Sequence, residues 1–195
     1  MDLIRLWFTG YVNPTKFADK LKGKPAPLFG FYGMLLRAAM DSLLLYLPVS
    51  LMGRVPPQPS NLSAFPTDTY YGTLVWLGPL VFLAQWLLGA ALIHVALRLS
   101  GRPGGMDQIL NITGMGDLII GAVLVVWDWV WIVAGGMTQI TLGISHLVID
   151  LWWIAIVTVA LKRILGVPVW LGVVLNFLAI ASAMPLAIMF MRSPL

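Results

Sequence analysis

Cysteine is absent from this 195-residue chain, glutamate is absent too, and only 10% of the residues are charged. Without cysteine there is no disulfide, no thiolate-held metal, no cysteine-ligated iron–sulfur cluster and no cysteine nucleophile. All eight acidic residues are aspartates and there are two histidines, so few groups are on hand for acid–base or metal chemistry. No glycine-rich phosphate loop with its lysine occurs, and no Ser/His/Asp set has supporting context, so catalysis is not expected. Neither a basic face nor a stacking-aromatic motif is present, which sets nucleic acid aside as a partner.

What the chain has instead is apolar length. Hydrophobic residues make up 59% and mean hydropathy is +0.90, against a charged fraction of about 25% in ordinary soluble domains. A helix needs about 20 apolar residues to cross a hydrocarbon core, and five stretches qualify: residues 28–52, 74–97, 109–133, 145–161 and 169–191. The expected fold is all-α, a polytopic transmembrane bundle of five helices in residues 28–195, preceded by an interfacial amphipathic segment at 1–27. In that segment Asn13 suits a helix cap, Pro14 the first helical position, and Gly23 with Pro25 the stop. Phe17 and Leu21 share one face beside Lys16 and Lys20, with Lys22 and Lys24 following, a pattern expected of a short helix on an anionic leaflet. The opening stretch MDLIRLWFTGYV has a short apolar run and no small-residue cleavage site, so no removable signal peptide is expected. Between the first two spans, Pro56, Pro57, Pro59 and Pro66 predict an extended connection, and Asn61-Leu62-Ser63 matches a glycosylation sequon.

The net charge of +4 follows topology. Arg5, Lys16, Lys20, Lys22 and Lys24 precede the first span, Arg98 and Arg102 follow the second, and Lys162 and Arg163 follow the fourth. All fall on one side of the membrane, whereas Arg54 and Arg192 fall on the other. The positive-inside rule then places the N-terminus inside and the C-terminus outside, in a bacterial or archaeal cytoplasmic membrane.

The basic N-terminal segment NPTKFADKLKGKPAPLFGFYGMLLRAAMDSL, the loop RLSGRPGGMDQILNITGMGDLI, the final pair of spans LWWIAIVTVALKRILGVPVWLGVVLNFL and the five-span order together carry a resemblance. The chain resembles the small prokaryotic members of the Yip domain family, along nearly its whole length. This implies a five-helix membrane domain with a cytoplasmic N-terminus. Eukaryotic members are associated with small GTPases and vesicle traffic. PAPLFGFYG stands where those members carry a DLYGP-like motif, so the resemblance brings over fold and topology without GTPase binding. For prokaryotic members the family offers no settled activity to carry over; with no catalytic motif in the chain, the function expected is a membrane-organising or partner-binding module, as a homo-oligomer or a subunit of a larger complex.

Ionisable residues inside spans are expensive and mark candidate sites. Helix rise of about 1.5 Å per residue groups Arg37, Asp41, His94 and Asp117 toward the inner side. Asp128, His146 and Asp150 fall toward the outer side. Asp117 and Asp128 are eleven residues apart, about 20° from sharing a helix face. The stripe fits either a path for cations or protons, making the protein a small transporter or channel, or a polar fastening between helices. One His with two Asp makes no known zinc motif, so no metal is expected. His94 and His146 lie near opposite surfaces and cannot both ligate one haem, so no cofactor is expected. Trp127, Trp129, Trp131, Trp152 and Trp153 suit an interfacial belt, and Gly114, Gly116, Gly121, Gly135, Gly136 and Gly143 permit close helix approach.

Overall fold

In the computed structural model the described residues are 2–56, 66–102, 104–135 and 138–190, and every secondary-structure element among them is helical. Pro57, Pro59, the Asn61-Leu62-Ser63 sequon, Gly136 and Arg192 lie outside the described residues. Two short helices, α1 (Asp2–Val12) and α2 (Pro14–Lys22), precede the first span. That span consists of α3 (Leu28–Met40), a π-helical turn (Asp41–Tyr46) and α4 (Leu47–Leu51). A 3-10 turn (Thr67–Thr69) then leads into α5 (Tyr70–Leu99), followed by α6 (Met106–Ala134), α7 (Gln139–Leu165) and α8 (Val169–Phe190). Five stretches are long and apolar enough to cross a membrane, as hydropathy predicts.

The fourth span begins at Gln139 rather than near residue 145, because Thr138 and Thr141 form a reciprocal capping box that satisfies free N–H groups at the helix start. In the first span the helix is irregular just before Pro48, in the π turn. Proline has no N–H to offer the carbonyl four residues back, here that of Leu44. Trp129 Nε1 donates to this oxygen instead, at 2.6 Å.

The tightest contact in the bundle joins α3 to α6, backbone against backbone. A Cβ at Gly30 would run into the carbonyl of Leu110, one at Gly114 into the carbonyl of Gly30, and one at Gly33 would lie 2.8 Å from the carbonyl of Gly114. Glycines at such spacing let membrane helices approach where lipid supplies no hydrophobic drive for packing. The Gly30 amide also donates to Asn111 Oδ1 at 2.6 Å, which fixes the axial register of the two helices.

Residues 1–27 contribute two helices rather than one. The α1–α2 hairpin is closed at its open end by Lys24 and Asp2, 2.5 Å apart, and bridged midway by Lys20 Nζ to Thr9 Oγ1 at 3.4 Å. Through its hydrogen bond and its charge, the Lys24 ammonium holds the Asp2 carboxyl below its ordinary pKa. At the turn, Asn13 caps α2 by accepting from the Lys16 amide, as its sequence position predicts. Tyr11 donates to the carbonyl of Ile119 at 2.7 Å, so the turn reaches well along α6. Phe17 and Leu21, expected to meet lipid, are 0% and 1% exposed. They join the same apolar core as Ile119, Val157 and Leu161 of α6 and α7, because those helices offer an apolar surface at that level. Lys16, Lys20 and Lys22 remain exposed, and Arg163 of α7 pairs with Asp19 at 3.1 Å.

Gly114→Ala is expected to lower stability in detergent by about 1–3 kcal/mol, the cost of overpacking a tight interface. Gly143→Ala, whose Cβ meets nothing within 4 Å, is expected to leave it unchanged. Thermal unfolding of the two purified variants checks the contrast.

Candidate functional site

The register of α3 on α6 aims Arg37 into the bundle. Its side chain lies over Gly121, where a Cβ would collide with Arg37 Cδ and Nε, and its guanidinium sits 5.0 Å from the ring centroid of Phe82 on α5. One helical turn on, Asp41 forms an ion pair with it. Both residues are buried, at 7% and 3% exposure. In an apolar interior such a charge is tolerable only with its counter-charge in place.

A second pair comes from α6 and α7. His146 Nε2 lies 2.8 Å from Asp128 Oδ1, and Trp127 Nε1 donates to Ser145 Oγ at 2.8 Å beside it. Asp117, a few turns nearer the basic end of α6, accepts from Trp153 Nε1 at 2.7 Å. Asp150 lies one turn from His146 on α7, and among the described residues no group hydrogen-bonds or ion-pairs with it.

These side chains surround one cavity of about 410 Å³, lined by residues of α3, α5, α6, α7 and α8. Arg37, Asp117, His146 and Asp150 face it directly. Asp41 and Asp128 stand behind, holding Arg37 and His146 respectively. The rest of the wall is mainly apolar, with Trp86, Trp153 and Phe82 as its aromatic part.

Comparison of the sequence with family models and curated proteins, and of the fold with solved structures, finds no match. The site therefore rests on its own chemistry.

The expected division into an inner and an outer cluster does not describe this geometry. Arg37 and Asp117 from one group share the cavity with His146 and Asp150 from the other. Counting depth by helix rise misses the reach of the arginine side chain, which extends to Gly121. His94 stays apart: it lies one turn beyond Ala90, the last α5 residue on the cavity wall, and its buried Nδ1 has no hydrogen-bond partner. No group of three or more metal-ligating side chains occurs among the described residues.

The tryptophans divide as well. Of the tryptophans expected in a belt, Trp152 is 43% exposed, whereas Trp153 is a buried donor to Asp117; Trp86, outside that group, donates to Thr113 Oγ1 at 3.0 Å. The sequence reading missed Thr113, Trp86 and the α8 wall of Ala179, Ala183 and Ala187. The available signal was small: a threonine in an apolar run, and alanines recurring at helical spacing.

Removing one partner of the buried ion pair, as in Asp41→Asn, is expected to destabilise the protein by about 3–5 kcal/mol. The double variant Arg37→Met with Asp41→Leu is expected to recover most of that loss. Thermal melts of single and double variants in one detergent give the comparison.

Proposed function

We propose that this protein is a small integral membrane carrier whose central cavity accepts a cation or a proton, without catalysis. One observation carries the reading: Asp117 and Asp150 face a cavity built by all five spans, and among the described residues neither forms an ion pair, the basic groups on the same wall, Arg37 and His146, being paired elsewhere. Arg37 is already matched by Asp41, and His146 by Asp128. A carboxylate in an apolar interior needs a counter-charge. Here it comes from outside the chain. The basic end, with Lys16, Lys20, Lys22, Arg98, Arg102, Lys162 and Arg163, is the cytoplasmic side of a bacterial or archaeal membrane in this reading, with the N-terminus in and the C-terminus out.

A membrane-organising, partner-binding role of the Yip-like type is the second reading. It is favoured by a ridge on α1 formed by Ile4, Phe8 and Val12, spaced four residues apart and 56%, 60% and 87% exposed. Anionic lipid at the neighbouring lysines, and a homo-oligomer or larger complex, belong to this reading.

Reconstitution into liposomes bearing a pH gradient separates the two. Proton-coupled flux is expected in the native protein, falling about tenfold in Asp150→Asn and in Asp117→Asn, equivalent to roughly 1.4 kcal/mol. Flux indistinguishable from empty liposomes, with a stable partner recovered alongside the protein, would favour the second reading.

A further inference from the structure

The cavity is bounded unevenly by α7 and α8. Toward the basic end the two helices touch: a Cβ at Gly172 would lie 3.1 Å from Thr158 Cγ2, and the fully buried Asn176 donates to Thr158 Oγ1 at 2.9 Å. Over the next turns their facing residues line the cavity rather than each other, namely Gly143, Leu147 and Asp150 from α7 and Ala183, Met184 and Ala187 from α8. Leu147 and Met184 are 44% and 52% exposed, and Gly143 has open space where a side chain would stand. The helices part toward the end away from the basic residues. The gap between them falls within two apolar spans, Ile140–Leu165 and Val169–Phe190, and Asp150 and Asp117 lie deeper along it than Gly143 and Ala187.

The walls discriminate among occupants. A metal ion stripped of water needs several oxygen ligands, about six to eight for calcium, and no set of three or more ligating side chains is present among the described residues. An anion meets Asp117 and Asp150 with the arginine already paired. A neutral molecule makes no use of the carboxylate charge, and both carboxyl groups would then have to be neutralised by protons. A cation with an apolar body answers most of the wall: carboxylates for its charge, the rings of Trp86 and Trp153 for cation–π contact, and alanine, leucine and methionine for its body, while Arg37 and His146 on the same wall are each held by an aspartate of their own. The volume of about 410 Å³ lies within the range of roughly 300–1,000 Å³ usual for small-molecule sites.

We propose that the cavity binds a hydrophobic organic cation that enters sideways from the bilayer between α7 and α8, seating its charge at Asp150 and Asp117. This rests on the reading of the cavity as a cation site and adds to it the class of ligand and the route.

Tetraphenylphosphonium is the probe, measured by equilibrium dialysis against the detergent-purified full chain. Empty micelles and a neutral arene of similar size serve as controls. Saturable binding is expected, weakened about tenfold in Asp150→Asn, a loss of roughly 1.4 kcal/mol. Gly143→Trp, which fills the open mouth, is expected to weaken binding to a similar degree, whereas Ile144→Trp, on the 58% exposed neighbouring face, leaves it intact. Thermal melts confirm that each variant is folded. Proton flux in liposomes without saturable binding of the probe would overturn the organic-cation proposal and leave the cation-site reading standing. Loss of both overturns both. Equal weakening by Gly143→Trp and Ile144→Trp would overturn the route.

Discussion

The backbone contact between α3 and α6 is the constraint on which the interior depends. Gly30, Gly33 and Gly114 bring two helix axes closer than any side chain would allow, and the bond from the Gly30 amide to Asn111 fixes their axial register. Register decides where Arg37 goes. With Gly114 against Gly30, the guanidinium lands over Gly121 and beside Phe82, where Asp41 can meet it. The glycines thus do more than shorten a distance: one set makes the approach, and Gly121 makes room for the charge that the approach delivers.

An apolar interior obliges each polar group to find a partner within the chain, and much of this burden falls on tryptophan. Trp129 serves the carbonyl left free by Pro48, Trp86 serves Thr113, Trp127 serves Ser145 and Trp153 serves Asp117. An indole suits this work because it offers one donor on a large apolar body, so it satisfies an oxygen while covering it. Two ionic pairs, Arg37 with Asp41 and His146 with Asp128, take up further polarity. The second carboxylate oxygen of Asp117 and the whole carboxyl of Asp150 are left facing the cavity. Among the described residues Ser42 Oγ, His94 Nδ1, Trp131 Nε1 and Asn176 Oδ1 are also buried without a partner, but the two aspartates are the unmatched groups that carry charge into the cavity.

The five-helix architecture was legible because it is written in hydropathy, which acts along the chain and needs no knowledge of neighbours. The Arg37–Asp41 pair follows from i,i+4 spacing on one helix, and the approach of Asp128 to His146 from the short connection between α6 and α7. Azimuth and reach were not legible. Arg37 extends about a turn beyond its own backbone, so two groups separated by axial counting meet across one cavity. His94 was given to the site by its chemistry and is excluded from it by one helical turn. Trp153 reads as an interfacial anchor by composition and is a buried donor by position. The α8 wall has no charge or histidine to draw notice, since its contribution is the absence of bulk at Ala179, Ala183 and Ala187.

The hairpin of α1 and α2 has a consequence for the order of assembly. Its residues leave the ribosome before any of the five spans, yet Tyr11 bonds to the carbonyl of Ile119, 108 positions later, and Phe17 packs among side chains of α6 and α7. The helices it bonds to, α6 and α7, are not yet made while the first two spans are being inserted. It docks only once the third and fourth have been delivered in the correct orientation, since otherwise neither Ile119 nor Arg163 stands where Tyr11 and Asp19 can reach it. The hairpin therefore settles after the fourth span although it is made before the first, and its docking registers that the third and fourth spans have been threaded correctly.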